Sequence, residues 1–564
     1  MRNLLSIFCS IVLVAACNSP DPADLVFMNG RIYTVDQENK MVEALAVRDG
    51  KILAVGSSSE MSAYVGEETK TVDLTNKYAF PGFVEGHAHI MGVGKNLINV
   101  DLRETKSFDE LVAAVAARAD QAPEGSWILG RGWHQDKWEE GPENIVKGFP
   151  THDKLSEAVP NHPVWLKHAS GHAGLANAKA MEMAEIGPDS PDPAGGEIFK
   201  SIGGYPTGIF NETAQNSIVS IIPEESEELQ AEILRLALAS CNEHGITSFH
   251  QAGSPSRDIE LFQRFKEEEK LSVRLHVMLS ARDGDLLKEF FEKGPVIDSI
   301  DQLLNIRAVK LYSDGALGSR GAWLLEEYSD APGIYGHNVT PMEVIEAVAM
   351  QATAAGFQVC THAIGDRGNR EVLDIYEKAL KAYPEITKDH RFRIEHAQHI
   401  NGKDIPRFAE MGVVPAMQAI HMSSDRPWAI FRLGRYRIEE GAYVWQKLLN
   451  SGVPIVNGTD APVEPISPFA SFYASVTRKT LAGTPAAGYE PDQRMTREQA
   501  LRSYTLDAAY GAFQENVIGS LEPGKFADIA VLDKDIMTVE ESEILKTQVL
   551  MTFLAGELVY AAEK

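Results

Sequence analysis

His87 and His89 stand two positions apart at the end of the run Pro81-Gly82-Phe83-Val84-Glu85-Gly86. If 79–84 is a buried strand, period 2 puts both imidazoles on one side of the chain just beyond its end, where they can reach one metal ion. Neutral imidazole is a common ligand for zinc and similar ions. Three more residues of ligand type follow apolar runs: His362 after 357–361, His396 after 392–395 and Asp460 after 454–459. Singly, each has a plain reading as a hydrogen-bonded core histidine or a helix-capping aspartate. Four histidines and one aspartate at such ends point together to a metal centre. A divalent ion there would lower the pKa of its water from about 16 to about 7 and provide hydroxide at neutral pH. Asp460 is the candidate to take the proton and pass it on. Lys310 lies inside the apolar run 306–312. A buried ammonium must be neutralised, paired or modified; an ion pair with Asp314 and carboxylation to a metal-bridging carboxylate are both open.

The elements that must hold these residues are strands alternating with helix-length segments. Strand-like runs fall at 79–84, 245–250, 273–279, 306–312, 358–361, 391–395, 413–417 and 454–457. Eight is the number that a closed, parallel α/β barrel of the (β/α)8, TIM-like kind requires, and such barrels build their sites at the C-terminal ends of the strands. Residues 79–508 are therefore expected to form the barrel. A long insertion at 91–226 would be a lid or substrate wall. Segments 23–78 and 509–564 alternate in strand fashion, with Asp49-Gly50 a strong hairpin signal. Neither end could bury much apolar area alone, so one composite β-sandwich built from both termini is expected.

The 564 residues, 44% hydrophobic and 24% charged, are globular in composition. A formal net charge of -27 argues against nucleic-acid or anionic-membrane surfaces as partners, and a small-molecule substrate is expected instead. At the N-terminus, Arg2 precedes an apolar run over 4–16 that is short for a membrane span and right for the core of a secretion signal. It ends in Val14-Ala15-Ala16-Cys17, which resembles the lipobox of bacterial lipoproteins. That resemblance implies a signal over 1–17, lipidation of Cys17, and a cell-envelope protein held to a membrane only by its N-terminal lipid. Cys241 and Cys360 then remain, and are read as small buried residues rather than a disulfide.

The ordered stretches PGFVEGHAH (81–89), ILGRGWHQDKW (128–138), VKLYSDGALGSR (309–320), CTHAIGDRGNREVLDIYE (360–377), RIEHAQHI (393–400), NGTDAPVEPISPF (457–469) and LEPGKFADIAVLD (521–533) cover most of the mature chain. The pattern resembles the metal-dependent amidohydrolase superfamily, in the subgroup that includes N-substituted formamide deformylase. The resemblance implies that His87, His89 and Asp460 hold one metal, that His362 and His396 hold a second, and that a carboxylated Lys310 bridges them; relatives use one ion or two, with zinc the leading candidate. It implies hydrolysis of a non-peptide carbon–nitrogen bond in an amide, formamide or cyclic amide by attack of metal-bound hydroxide, and a homodimer as the assembly. The same centre could serve an ester, lactone or dipeptide-like bond, and a surface binding protein that has lost catalysis is a third reading. Candidates for substrate contact are Trp133, His172, Arg320 and His421, with Trp133 also readable as packing for the insertion.

Overall fold

The computed structural model describes residues 20–103, 105–135, 138–169, 173–193 and 195–563. The signal segment, Cys17 and His172 lie outside the described residues. Among the described residues no helix is long and apolar enough to cross a membrane.

Eight parallel strands carry the centre of the molecule: β1 (Phe83–Ala88), β2 (Ile246–Ser254), β3 (Arg274–Ser280), β4 (Leu304–Tyr312), β5 (Gln358–Ala363), β6 (Arg393–His396), β7 (Val414–Met417) and β8 (Val456–Asn457). Each neighbour in this order is paired in parallel register. The sheet is nearly closed, because the chain leaving β8 hydrogen-bonds back to β1: the Asp460 amide donates to the His87 carbonyl at 2.8 Å, and the His89 amide to the Ala461 carbonyl at 2.8 Å. Helices between strands cover the outside with one apolar face. Glu227–Glu243, capped by the Ser226 side chain, buries Ile233, Leu234, Ala237, Leu238 and Cys241, and Asp366–Ala382 buries Val372, Leu373, Ile375 and Tyr376. These faces and the strands' outer residues form one continuous core.

All eight runs read from the sequence are barrel strands, but the first is shifted. The run 79–84 is divided at Gly82. Tyr78–Pro81 belongs to another sheet, and β1 begins at Phe83, so that His87 lies within the strand. A Cβ at residue 82 would sit 2.1 Å from Thr247 Oγ1, so only glycine lets the chain pass there.

Tyr78–Pro81 pairs with Ile529–Leu532 and with Arg31–Tyr33 in a six-stranded sheet that also holds Val549–Leu554, Glu557–Ala561 and Met41–Val42. Both ends of the chain thus enter one sheet. A four-stranded sheet of Leu25–Met28, Ala44–Arg48, Lys51–Gly56 and Lys70–Asp73 shares an apolar core with it, in which Phe27, Leu45 and Val47 meet Ile529, Val531 and Phe553. Its hairpin turns at Asp49-Gly50, both at positive φ (50° and 72°). Arg274 of β3 clamps the six-stranded sheet to the barrel: Nε and Nη2 donate to Asp528 at 2.7 and 2.9 Å, and both side chains are buried.

The insertion after β1 folds around its own six-stranded sheet, from Val100–Asp101 to Pro206–Glu212 and Gly196–Lys200, with the helix Phe108–Ala119 packed on it. Trp133 is at the heart of this core, fully buried, stacked on Trp138, with its indole N–H donating to the Leu166 carbonyl at 2.9 Å. It packs the core of the insertion and does not line the cavity at the ends of the barrel strands. Cys241 and Cys360 are separate buried thiols.

Candidate metal centre

The C-terminal ends of the barrel strands surround a cavity of about 340 Å3. His87 at the end of β1, His89 just beyond it, Lys310 in β4, His362 in β5, His396 at the end of β6 and Asp460 after β8 all line it, and His421, at the start of the helix Ala419–Gly441, joins them. The geometry divides them into two groups that share Asp460. In one, His87, His89 and Asp460 converge; in the other, His396, His421 and Asp460; within each, the ligand atoms lie within 4.8 Å of one another. Asp460 Oδ1 is 3.1 Å from His89 Nε2 and 3.7 Å from His87 Nε2, while Oδ2 is 3.9 Å from His421 Nε2. His421, read from sequence as a substrate contact, therefore stands in a ligand-like position. His362 packs its ring 4.4 Å from that of His396 but lies outside both groups, with Nε2 3.6 Å from Asp314.

The fit to a cation is visible in what these groups lack. His87 Nε2, His362 Nε2, His421 Nε2, Lys310 Nζ and Asp460 Oδ1 are all buried without a hydrogen-bond partner. Unsatisfied polar atoms are rare in a folded interior, and five on one cavity mark a place built for something else to bind. Burial pushes His87 down to about 4 and His362 to about 3, so both rings are neutral and offer a lone pair. Burial would raise Asp460, but His89, 3.1 Å away, and the imidazoles of His396, His87 and His421 hold it well below the carboxylate range.

The ring orientations are fixed from behind. His87 Nδ1–H donates to the Glu395 carboxylate, which is itself gripped by Arg393 through Nε at 2.8 Å and Nη2 at 2.9 Å. His396 Nδ1–H donates to Gln418 Oε1 at 2.7 Å, and the Gln418 amide is oriented by its own N–H to the Ala416 carbonyl at 3.1 Å. Each contact consumes Nδ1 and leaves Nε2 for the cavity. Glu85, fully buried, accepts from the Thr459 amide at 2.8 Å, the Thr459 hydroxyl at 2.9 Å and the His87 amide at 3.1 Å, and so ties the Asp460 loop to β1; burial nonetheless pushes it up to about 8. His396 and Asp460 both sit at positive φ (74° and 57°), conformations that cost energy and are held by this surrounding network.

Lys310 is 1% exposed, and burial pulls its ammonium down to about 8. Asp314 does not pair with it. That carboxylate is occupied by the backbone amides of Trp323, Ile364 and Gly365 at 2.8, 3.0 and 2.8 Å. Arg320 does not reach the cavity either, because it is paired with Asp330 at 2.9 Å on a partly exposed loop. Among the described residues none of the insertion lines this cavity, whose wall includes the segments after β4, β7 and β8. A larger cavity of about 600 Å3 lies between the insertion and the barrel's helices, but its Glu225 is neutralised by Lys95 and Arg257 and it gathers no ligand set.

Sequence reasoning passed over Glu395, Arg393 and Gln418. The signal was present for the first two: charged residues two apart inside an apolar strand must share a face and answer one another's charge.

The chain is 33% identical to the protein LONG AFTER FAR-RED 3 of Arabidopsis thaliana over 95% of its own length and 92% of that protein's. It is 27% identical to the N-substituted formamide deformylase of Arthrobacter pascens, over 95% and 98%. Among solved structures, an uncharacterised metal-dependent hydrolase of Pyrococcus horikoshii superposes with a TM-score of 0.75 at 28% identity, covering 92% of this chain and 99% of that one. A model of the amidohydrolase family matches residues 70–560, and the chain belongs to that family, as an enzyme that hydrolyses carbon–nitrogen bonds.

Proposed function

We propose that this protein is a metal-dependent hydrolase of a non-peptide carbon–nitrogen bond in a small amide, formamide or cyclic amide. The observation that carries the reading is the convergence of unpartnered His87, His362 and His421 Nε2, Lys310 Nζ and Asp460 Oδ1 on one cavity. His87, His89 and Asp460 would hold one divalent ion; His396, His421 and Asp460, with His362 beside them, would hold a second. The mixed nitrogen and oxygen donor set suits zinc. When bound, such an ion supplies Lewis acidity, polarising a carbonyl and acidifying water.

The chain's own residues do the rest. Asp460, ionised and touching both groups, is placed to accept a proton and return it to the leaving nitrogen. Glu395 and Gln418 keep the His87 and His396 rings from turning. Lys310 supports carboxylation: its buried amine is partly neutral near pH 8, and a carbamate would convert an uncompensated cation into a ligand.

Elemental analysis of the protein prepared with bicarbonate tests this, alongside turnover of a panel of small amides and formamides. We expect bound metal in the wild type, and in Lys310→Ala a loss of at least one ion per chain together with turnover. Metal content untouched by the substitution would reduce Lys310 to a structural role, and a wild type that takes up no metal would sink the reading.

On sequence alone we also propose that the mature chain begins at a lipidated Cys17 in a bacterial envelope, which intact-mass analysis of membrane-extracted protein would reveal. The two terminal sheets with their shared core are read here as the composite sandwich of the family.

A further inference from the structure

The cavity wall carries more acid than the metal site uses. Asp425, on the helix Ala419–Gly441, and Glu464, on the segment after β8, both line it, and the Trp428 indole lies one helical turn from Asp425. Neither carboxylate has an ion-pair partner among the described residues. The hydrogen bonds to Asp425 are long, 3.4 Å from both the Gln398 amide and the Tyr443 hydroxyl. Glu464 interacts with the Ser424 side chain and feels the His421 imidazole, which also acts on Asp425, and then the charge of Arg103. Burial raises both acids, Asp425 to about 6; Glu464 raises Asp425 further, and Asp460 raises Glu464. The buried Lys310 and Asp460 line the same cavity, so the two acids stand inside a site and not on open surface. Two partly buried carboxylates without an ion-pair partner are costly unless a cation arrives with the ligand, and an indole face beside them is a surface that receives one.

We propose that Asp425 and Glu464, with the Trp428 ring, form a subsite for a cationic group, so that the substrate is an amide carrying an ammonium or amidinium. The proposal rests on the hydrolase reading for the reaction, but the subsite binds its cation whether or not turnover follows. Val463, Leu317 and Ile364 line the rest of the cavity and suit a short apolar or aromatic body between cation and amide.

The test is binding, by calorimetry on zinc-loaded protein, of phenethylammonium against its neutral isostere 2-phenylethanol. The wild type should favour the ammonium by about tenfold or more. Asp425→Asn and Glu464→Gln, each isosteric, should each erode the preference, and the double variant should bring the two ligands to within about threefold without changing metal content. Equal binding of the two ligands by the wild type overturns the proposal, and so does a preference that survives the double variant. The wild-type comparison decides even if a variant fails to fold. Turnover of the amide panel separates the two readings: no amide cleaved while the ammonium preference stands would remove the hydrolase reading alone, and cleavage of neutral amides with no ammonium preference would remove the subsite alone.

Discussion

At the scale of single residues, the site depends on side chains that touch no substrate. Glu395 is the clearest case. It is wholly buried, gripped by Arg393, and receives the proton side of His87. Glu395→Gln removes the charge that keeps the ring in place, and metal affinity should fall by about tenfold to hundredfold, read by competition with a chelator. An unchanged affinity would mean that packing alone orients His87. Asp460 works differently, as the acid shared by both ligand groups. Asp460→Asn should lower kcat by about a hundredfold or more even where metal is still bound, since the amide cannot carry the proton; a variant that keeps both metal and kcat would assign proton transfer to another group.

At the scale of elements, the seam between β1 and β8 decides whether the ligands meet. Gly86 is a tight point in it: a Cβ there would lie 2.3 Å from the Asn457 carbonyl oxygen and 2.4 Å from a Val456 methyl. One added methyl must push β1 from β8 and carry His87 away from Asp460. Gly86→Ala should therefore destabilise the fold by about 1–3 kcal/mol, seen as a lower urea midpoint, and weaken metal binding in the same protein. If stability falls while metal affinity holds, the seam supports the barrel without setting the ligand geometry. The insertion differs in being held by its own sheet and its own core, apart from this seam.

For the whole molecule, the sheet built from both chain ends is locked to the barrel by Arg274 and Asp528, which are 254 residues apart, buried, and joined by two hydrogen bonds. Removing one partner leaves the other as an uncompensated charge in the interior. Arg274→Met should cost about 3–5 kcal/mol of unfolding free energy by urea titration. The double variant that also replaces Asp528 with Asn should recover part of that loss, whereas no recovery would mean that the arginine acts through its packing on Phe526.

The amino-acid sequence by itself determined the eight barrel strands, the joining of the two ends in one sheet, and the set of ligand-type residues after apolar runs. These are local facts: an apolar run must be buried, an alternating run must find a partner, and a polar residue at the end of either is placed by its neighbours. It could not show that the first run divides at Gly82, because the obstacle is the side chain of Thr247, 165 positions away. Nor could it separate His421, which stands in the ligand group, from Arg320 and Trp133, which were read as its equals and lie elsewhere; that depends on which side chains of the helix after β7, of the loop after β4 and of the insertion reach the cavity. The charge partners of His87, the lack of an ion-pair partner for Asp425 and Glu464 among the described residues, and the unpartnered amine of Lys310 were decided only by tertiary structure, since burial and proximity set the field at a group, and both arise between residues distant in the chain.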